Sequence, residues 1–552
     1  MKLDRRKALA LLGLGAATPI SAQASIPLPD GVFRHGVASG DPLHDRVVIW
    51  TRLTPTSDAG APMRVEWQVE DAARPGRAVA RGVATTDASR DFTVKVDVTG
   101  LKPATDYVYR FRAGAVSAEG RTRTLPKGST KDVVLAVASC TLYPNGYFNA
   151  YRAIADLPRV DAVLHLGDYI YEYGGPGSYG MNSAVAAERP HDPPNECVSL
   201  ADYRRRHAQY KADPDLQAAH ARAPWIVAWD DHETANDSWL HGAQNHQPAD
   251  EGDWDARKAA ALKAYYEWMP IREPRPGQDL VSATERAFHF GDLASLIMVE
   301  TRLGARDRQL TLEADLPVVD GKPDVAAFRA RLNDPARRMM GERQEGWIAG
   351  ELARSVKAGH AWQVIGNQVV MAKVVSPTRK DLSPEQLAKA TPAALARLDR
   401  RARAGELGLP AALDMWDGYP VDRERLYALF RQTGARPVVL SGDSHSFWAN
   451  ELHDESGRRV ACEFGATAIT SPGGGELSPG VDAGELVALA SPEVVYNNQV
   501  ARGFILLTLT REAAKAEMVG VSTIVARDFT AAPVASFQVT PEGTGVSKVA
   551  AL

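Results

Sequence analysis

Cysteine is scarce in this chain. Only Cys140, Cys197 and Cys462 occur among 552 residues. Three thiols cannot make a disulfide framework, so the fold must rest on its core; at most one pair could close, leaving one thiol to be explained. Net charge is equally scarce. Lys and Arg number 64 against 68 Asp and Glu, a formal balance of −4, which gives neither a nucleic acid nor an anionic bilayer a field to bind. No specific nucleic-acid partner is expected. Near the N-terminus the apolar run falls short of the roughly 20 residues that span a bilayer, so no stable membrane span is expected in the mature chain. No internal repeat is visible.

The chain begins with an address. Residues 1–24, "MKLDRRKALALLGLGAATPISAQA", have a basic start, a short Gly- and Ala-rich apolar run and a small-residue end. Arg5 and Arg6 give it the look of a twin-arginine signal. Export through the twin-arginine machinery, cleavage near Ala24 and a periplasmic or secreted location are therefore expected. That route carries folded proteins, which suits one that takes up its cofactor inside the cell. An ordinary secretory signal with a chance arginine pair is the alternative.

Two regions follow. Residues 30–126 read as short strands, "RVVIWTRL", "MRVEWQVE", "FTVKVDVTG" and "DYVYRFRAG", separated by Gly, Asp and Pro. They predict an N-terminal β-sandwich of the immunoglobulin or fibronectin type. From 131 to 545 apolar runs alternate with helical stretches such as "SLADYRRRHAQYKADPDLQAAHARA" and "ERQEGWIAGELARSV", an α/β pattern. Two segments interrupt it, a Gly/Pro-rich loop over 174–196 and a polar, partly helical insertion over 377–411. Long loops in compact domains are more often functional lids than idle.

The apolar runs of the second region end in residues that bind metals. "VVLAVAS" ends at Cys140. "DAVLHL" ends at Gly167-Asp168, with Tyr171 three further on. "WIVAW" ends at Asp230-Asp231-His232-Glu233, "WQVI" at Gly366-Asn367-Gln368, "PVVLS" at Gly442-Asp443-Ser444-His445, and "ASLIMV" at Glu300-Thr301-Arg302. Ligands gather at the carboxyl ends of strands in α/β sheets. Aligned strands would bring together a thiolate, several carboxylates, a phenol, an amide and an imidazole, a set too costly to bury unpaired. Two or more cations would neutralise it. Singly, each residue has a plainer reading: a buried small thiol, a turn, a helix cap, a core histidine. His165, inside an apolar run, is read as a core residue.

The order of these motifs resembles the calcineurin-like metallophosphatases. The closer resemblance is to PhoD-type alkaline phosphatases, through "FRHGVASGDP", "VVIWTRL", "ASC", "LGDYIYE", "PWIVAWDDHE", "GERQEGWI", "IGNQVVM", "WDGYPVDRERL", "SGDSHSFW" and "ITSPG", which span nearly the whole mature chain. The resemblance implies a β-sandwich followed by a four-layer α-β-β-α metallophosphatase domain. It implies hydrolysis of phosphate esters outside the cytoplasm at alkaline pH, by attack of a metal-activated hydroxide. It also implies one Fe3+ with one or two Ca2+, with Zn2+ or Mn2+ as alternatives. On that pattern Cys140, Asp168, Tyr171 and His445 would hold iron. Asp168, shared, would hold calcium with Asp231, Asn367 and Asp443; Gln368 is the alternative amide. Oxygen donors stand where the wider superfamily has imidazoles, which suits calcium. His232 matches the position that stabilises the phosphoryl group or protonates the leaving group, with Asp168 the other catalytic residue. Asn236 and Arg302 are candidate substrate contacts. Many relatives carry Asp where this chain has Glu300.

Phosphomonoesters and phosphodiesters are the substrates implied. The same residues would serve a phospholipase-D-like diesterase or a phosphotriester hydrolase. An acid phosphatase is disfavoured by the missing second imidazole. A non-catalytic cell-surface binding module is the reading from another class; the full ligand set argues against it.

Overall fold

The structure, a computed structural model, describes residues 20–21, 31–55, 61–175, 177–181, 183–410, 412–475 and 481–552. The expected export signal lies outside them except for residues 20–21.

Two large sheets pack face to face. In the first, Asp132–Ala138, Ala162–His165 and Trp225–Val227 run parallel and adjacent, with His165 in register with both Ala138 and Val227. In the second, Ala294–Met298, Trp362–Gly366 and Pro437–Ser441 do the same. These are the six apolar runs whose ends carry the candidate ligands. Their continuous apolarity follows from burial on both faces. Leu135, Val137, Leu164 and Ile226 face Leu296, Met298, Val364 and Leu440 across the space between the sheets. The alternate residues Ala136, Ala138, Val163 and Val227 face outward onto helices that include Asn149–Ala155 and Trp254–Trp268. Ile297, Ile365 and Val439 face outward on the other side, onto Glu342–Lys357 and Pro420–Thr433. The result is four layers, helix, sheet, sheet, helix.

Local sequence sets the helix ends. Ser199 caps Leu200–Lys211 and shares a reciprocal capping box with Asp202. Asp213 then caps Pro214–Arg222, with proline in its first turn, so the long helical stretch becomes two helices. The insertion forms two short helices, Pro384–Lys389 and Pro392–Glu406. The described residues of the 174–196 loop hold turns and bends, with no helix or strand.

The N-terminal strands form a sandwich around Val47, Ile49, Val65, Val69, Tyr109 and Phe111. One layer is the four-stranded antiparallel sheet of Ala78–Thr86, Met63–Asp71, Asp106–Ala113 and Val116–Arg123. The other, Val37–Gly40, Arg46–Arg52 and Thr93–Thr99, is an extension of the first large sheet, joined by the parallel pairing of Gly40 with Trp225. A Cβ at Gly40 would lie 2.1 Å from Pro270 O, so only glycine permits that join. Among the described residues no helix is long and apolar enough to cross a membrane.

Behind this join lies a buried cluster of weak bases. His35 meets the edge of Trp268 at 5.2 Å and His207 stacks on the same ring at 6.4 Å. His220 Nε2 lies 2.8 Å from Tyr169 Oη and 3.0 Å from Lys211 Nζ, and Lys211 sits over Trp50 at 4.6 Å. Neither ring nitrogen of His207 has a hydrogen-bond partner among the described residues. The charged groups acting on these bases are themselves cationic: Arg34, Arg52, Arg206, Lys211 and Lys95. Burial first, and these cations second, lower His35 and His207 to about 3, and burial holds Lys211 well below its usual range.

The folded state therefore resists protons that the unfolded chain accepts from about pH 6.5 downward. Stability is full above that value and is lost as pH falls toward about 3. His207→Phe keeps the stacked ring and removes one such base. Thermal melts at pH 5 and pH 8 should show the variant gaining stability relative to wild type at pH 5 only. An equal change at both values would contradict this reading.

Candidate metal centre

Four of the expected ligands share an unusual backbone. Cys140, Asp168, Asp443 and His445 have φ of 61°, 56°, 58° and 56°. Non-glycine residues rarely adopt the left-handed region, and when they do it is often at functional sites. Each lies just past the end of a strand. Close approach fixes the turns. A Cβ at Gly167 would lie 2.4 Å from Asp230 N, and one at Gly442 would lie 2.7 Å from Ser139 Cβ, which joins the tips of the two sheets. Ile469 N donates to Ser139 O at 3.0 Å and Ser471 Oγ to Cys140 O at 3.0 Å, tying the second sheet to the first.

The side chains converge into two adjoining groups. Candidate ligand atoms of Cys140, Asp168 and His445 lie within 4.8 Å of one another, as do those of Asp168, Asp231 and His232, and those of Asp230, Asp231 and Asp443. Asp168 belongs to two of these sets. Tyr171 completes the first: its hydroxyl donates to Asp168 Oδ2 at 2.9 Å, lies 3.1 Å from His445 Nε2 and accepts from Ser471 Oγ at 2.7 Å. His445 Nδ1 lies 2.9 Å from Pro472 O, which leaves Nε2 facing the cluster.

His232 stands between the groups. Its Nδ1 lies 2.7 Å from Glu172 Oε2, and Glu172 also accepts from Asn236 N at 2.7 Å and Asn245 Nδ2 at 2.8 Å. Glu172 thus fixes the ring and turns Nε2 toward Asp231, 4.0 Å away. Glu233, next in sequence, points elsewhere: it accepts from the backbone N–H groups of Asp168 at 3.0 Å, Tyr169 at 2.5 Å and Asp230 at 2.8 Å, clasping two strand tips.

The electrostatics call for cations. Burial, then neighbouring carboxylates, push Asp443 well above the usual carboxylate range; burial does the same for Asp168 despite His232 beside it. Burial and the Asp168 charge likewise raise the Cys140 thiol. Burial works against a charge on His232, but Asp231, Asp168 and Glu172 outweigh it and hold the imidazole well above its ordinary value. Asp230 Oδ2 and Asp231 Oδ1 are buried with no hydrogen-bond partner among the described residues. Native proteins rarely leave such atoms unpaired without a reason. Orphaned carboxylate oxygens beside a thiol, a phenol and an imidazole fit cation binding: sulfur and nitrogen donors on one side suit a transition metal, and oxygen donors on the other suit calcium.

Three expected site residues have different surroundings. Arg302, expected against substrate, is fully buried. Its Nε bonds Asp230, Nη1 donates to Asp414 at 2.8 Å and Nη2 to Asp443 at 3.2 Å, so it serves as an internal counter-ion beneath the acidic group. Asn236 lines the site wall, with Oδ1 accepting from Tyr173 at 3.0 Å and Nδ2 donating to Gln244 at 3.0 Å. Asn367 is buried at its strand end, but Oδ1 accepts from the Trp416 indole at 3.1 Å and Nδ2 donates to Val369 O, which leaves one carbonyl lone pair for a cation. The alternative amide, Gln368, is bonded to Thr301 Oγ1 at 2.6 Å and Val299 O at 2.8 Å. His165 lies in the core, 2.9 Å from Tyr151 Oη. Glu300 accepts from Trp229 Nε1 at 3.0 Å and from the N–H groups of Arg302, Leu303 and Gly304, a brace between the strand ends of the two sheets.

Glu172, Asp414 and Ser471 were not singled out by sequence. Each lies in or beside a quoted motif, but their roles depend on partners 60 or more residues away in the chain: Asp414 through Arg302, Glu172 through His232, and Ser471 through Tyr171.

Removing the cation from a buried pair while leaving the anions costs about 3–5 kcal/mol. Arg302→Met should lower the thermal midpoint of chelator-treated protein by several degrees. Added Ca2+ should recover more of the midpoint in the variant than in wild type, because three carboxylates then lack their counter-ion. Identical Ca2+ responses would show that Arg302 does not neutralise this group.

Comparisons with known proteins agree with the architecture. A family model described as PhoD-like phosphatase matches residues 135–518, and one described as the N-terminal domain of PhoD-like phosphatase matches residues 20–126. Alkaline phosphatase D of Bacillus subtilis (strain 168) is 34% identical over 530 residues, which cover 94% of this chain and 82% of that protein. A solved structure of PhoD matches with a TM-score of 0.77 at 33% identity, covering 96% of this chain and 94% of that one. Sequence, domain order and fold agree over nearly the whole length, and the chain belongs to the PhoD-like phosphatase family.

Proposed function

We propose that this chain is an exported, metal-dependent hydrolase of phosphoric esters that acts at alkaline pH on phosphomonoesters and phosphodiesters. The observation that carries this reading is the pair of adjoining donor groups at the strand ends, with two buried carboxylate oxygens lacking any partner among the described residues. Family membership and the similarity to a protein named alkaline phosphatase D support it. The N-terminal residues 1–24, with Arg5 and Arg6, support export by the twin-arginine route to the periplasm or beyond.

In this reading Cys140, Asp168, Tyr171 and His445 hold Fe3+. Asp168, Asp231, Asp443 and the remaining Asn367 lone pair hold Ca2+, and the orphaned oxygen of Asp230 joins them. When bound, the cations supply positive charge for the phosphoryl oxygens and make a water acidic enough to act as nucleophile. The chain's own residues do the rest. Asp168 reaches both groups and so fixes their spacing. Glu172 holds the His232 ring by Nδ1, so Nε2–H faces the space in front of Asp231, where it can protonate the leaving oxygen. Arg302 and Asp414 set the acidic group from below and make no demand on the substrate. No side-chain nucleophile is required, so no phosphorylated enzyme forms.

Two treatments test the metals separately. EGTA should abolish most activity at alkaline pH, and Ca2+ should restore it, while iron stays with the protein. Protein loaded in its own host should be violet to blue, because a phenolate or thiolate on Fe3+ absorbs visible light. Tyr171→Phe should shift or weaken that band and lower activity with the fold intact. Wild-type iron content with an unchanged spectrum in Tyr171→Phe would remove Tyr171 from the site, and activity untouched by EGTA would remove calcium.

A further inference from the structure

Tyr171, Glu172 and Tyr173 follow one another in the chain, and all three side chains meet the site. Tyr171 Oη reaches Asp168 and His445, Glu172 holds the His232 ring, and Tyr173 Oη donates to Asn236 Oδ1 at 3.0 Å. Their three backbone carbonyls are gripped from another part of the chain. Arg206 Nη1 donates to Tyr171 O, Cys197 N donates to Glu172 O at 2.9 Å, and His191 Nδ1 lies 2.7 Å from Tyr173 O. A carbonyl only accepts, so Nδ1 carries the His191 proton. Burial, then the Arg206 charge, lower His191 to about 3, so the ring is a neutral donor.

Arg206 is the centre of this grip. It belongs to helix Leu200–Lys211 and is fully buried. Its hydrogen bonds among the described residues all go to carbonyls. Besides Tyr171 O, Nε donates to Asp192 O at 3.3 Å, and Nη2 donates to Pro193 O at 2.8 Å and Asn195 O at 3.3 Å. Burying a cation is costly unless its donors are satisfied, and here backbone dipoles satisfy them. The planar fork of arginine reaches several carbonyls at once, which the compact ammonium of lysine does not match. Arg206 therefore ties the end of the 174–196 loop to the segment that carries Tyr171 and Glu172.

We propose that Arg206 and His191 are positioning residues for the hydrolysis: by holding Tyr171–Tyr173 from behind, they set where the Tyr171 phenol meets the metal groups and where Glu172 aims the His232 ring. The proposal rests on the phosphoester-hydrolase reading above. Neither residue touches the reacting atoms. A misplacement of about 1 Å transmitted to such groups lowers a rate by up to about a hundredfold.

Leaving-group dependence separates positioning from folding. p-Nitrophenol leaves without help, whereas an alkyl alcohol needs the proton that His232 would give. A misaimed His232 slows alkyl phosphate hydrolysis more than p-nitrophenyl phosphate hydrolysis, and a loss of folded protein lowers both alike. In the metal-loaded full chain, His191→Leu and Arg206→Lys should each raise the kcat ratio of p-nitrophenyl to alkyl phosphate about tenfold. His191→Asn, with an N–H near the place of Nδ1, should stay near wild type. Both His191→Leu and Arg206→Lys should also shift the visible band of the iron-loaded protein. A wild-type ratio with a wild-type band in both variants would overturn the proposal. His232→Asn with a wild-type ratio would remove His232 as the acid and leave the band to decide on Arg206 and His191. Wild-type protein that hydrolyses neither ester would remove the hydrolase reading, with the band again deciding.

Discussion

Buried negative charge is the constraint on which the rest of this structure depends. Asp168, Asp230, Asp231 and Asp443, with the Cys140 thiol, occupy one small region at the carboxyl ends of two sheets, where desolvation penalises every anion. Arg302 neutralises part of the group and is itself fully buried to do so. Glu233 and Glu172 are further buried carboxylates beside this region, and neighbouring N–H groups satisfy them. What remains unpaired among the described residues, Asp230 Oδ2 and Asp231 Oδ1, defines where cations belong. The left-handed turns at Cys140, Asp168, Asp443 and His445 are the strain that holds these groups together, and the paired sheets supply the rigidity to hold them there.

Sequence reveals the elements of this site better than their connections. The six apolar strands were legible because a fully buried parallel strand reads as a short continuous apolar run, and the polar residues at their ends stand out against it. The split of the long helical stretch at Asp213-Pro214 was not read, although an N-cap followed by proline is a local signal. The continuous sheet linking the N-terminal sandwich to the main domain was not legible at all. It rests on one pairing, Gly40 with Trp225, between segments 185 residues apart, and nothing in either strand announces its neighbour. The partners of Arg302 were hidden for a related reason. A basic residue after a strand invites a substrate role, and only the folded chain surrounds it with Asp230, Asp414 and Asp443.

The join between sandwich and main domain also gives the protein a direction of pH tolerance. The buried histidines behind it, His35, His207 and His220, remain neutral only while protons are scarce. Above about pH 6.5 such groups can stay in the core, because the charged form that would disrupt the packing is not populated there.

The central claim is that two kinds of cation divide the donor set between them, with Asp168 common to both. Anomalous diffraction across the iron edge, on crystals of protein exported by its own host, tests it directly. The account predicts an iron peak within bonding distance of Cys140 Sγ, Asp168, Tyr171 Oη and His445 Nε2, and a separate density without iron signal among Asp168, Asp230, Asp231 and Asp443. An iron peak on the carboxylate side, or no peak beside Cys140, would contradict it.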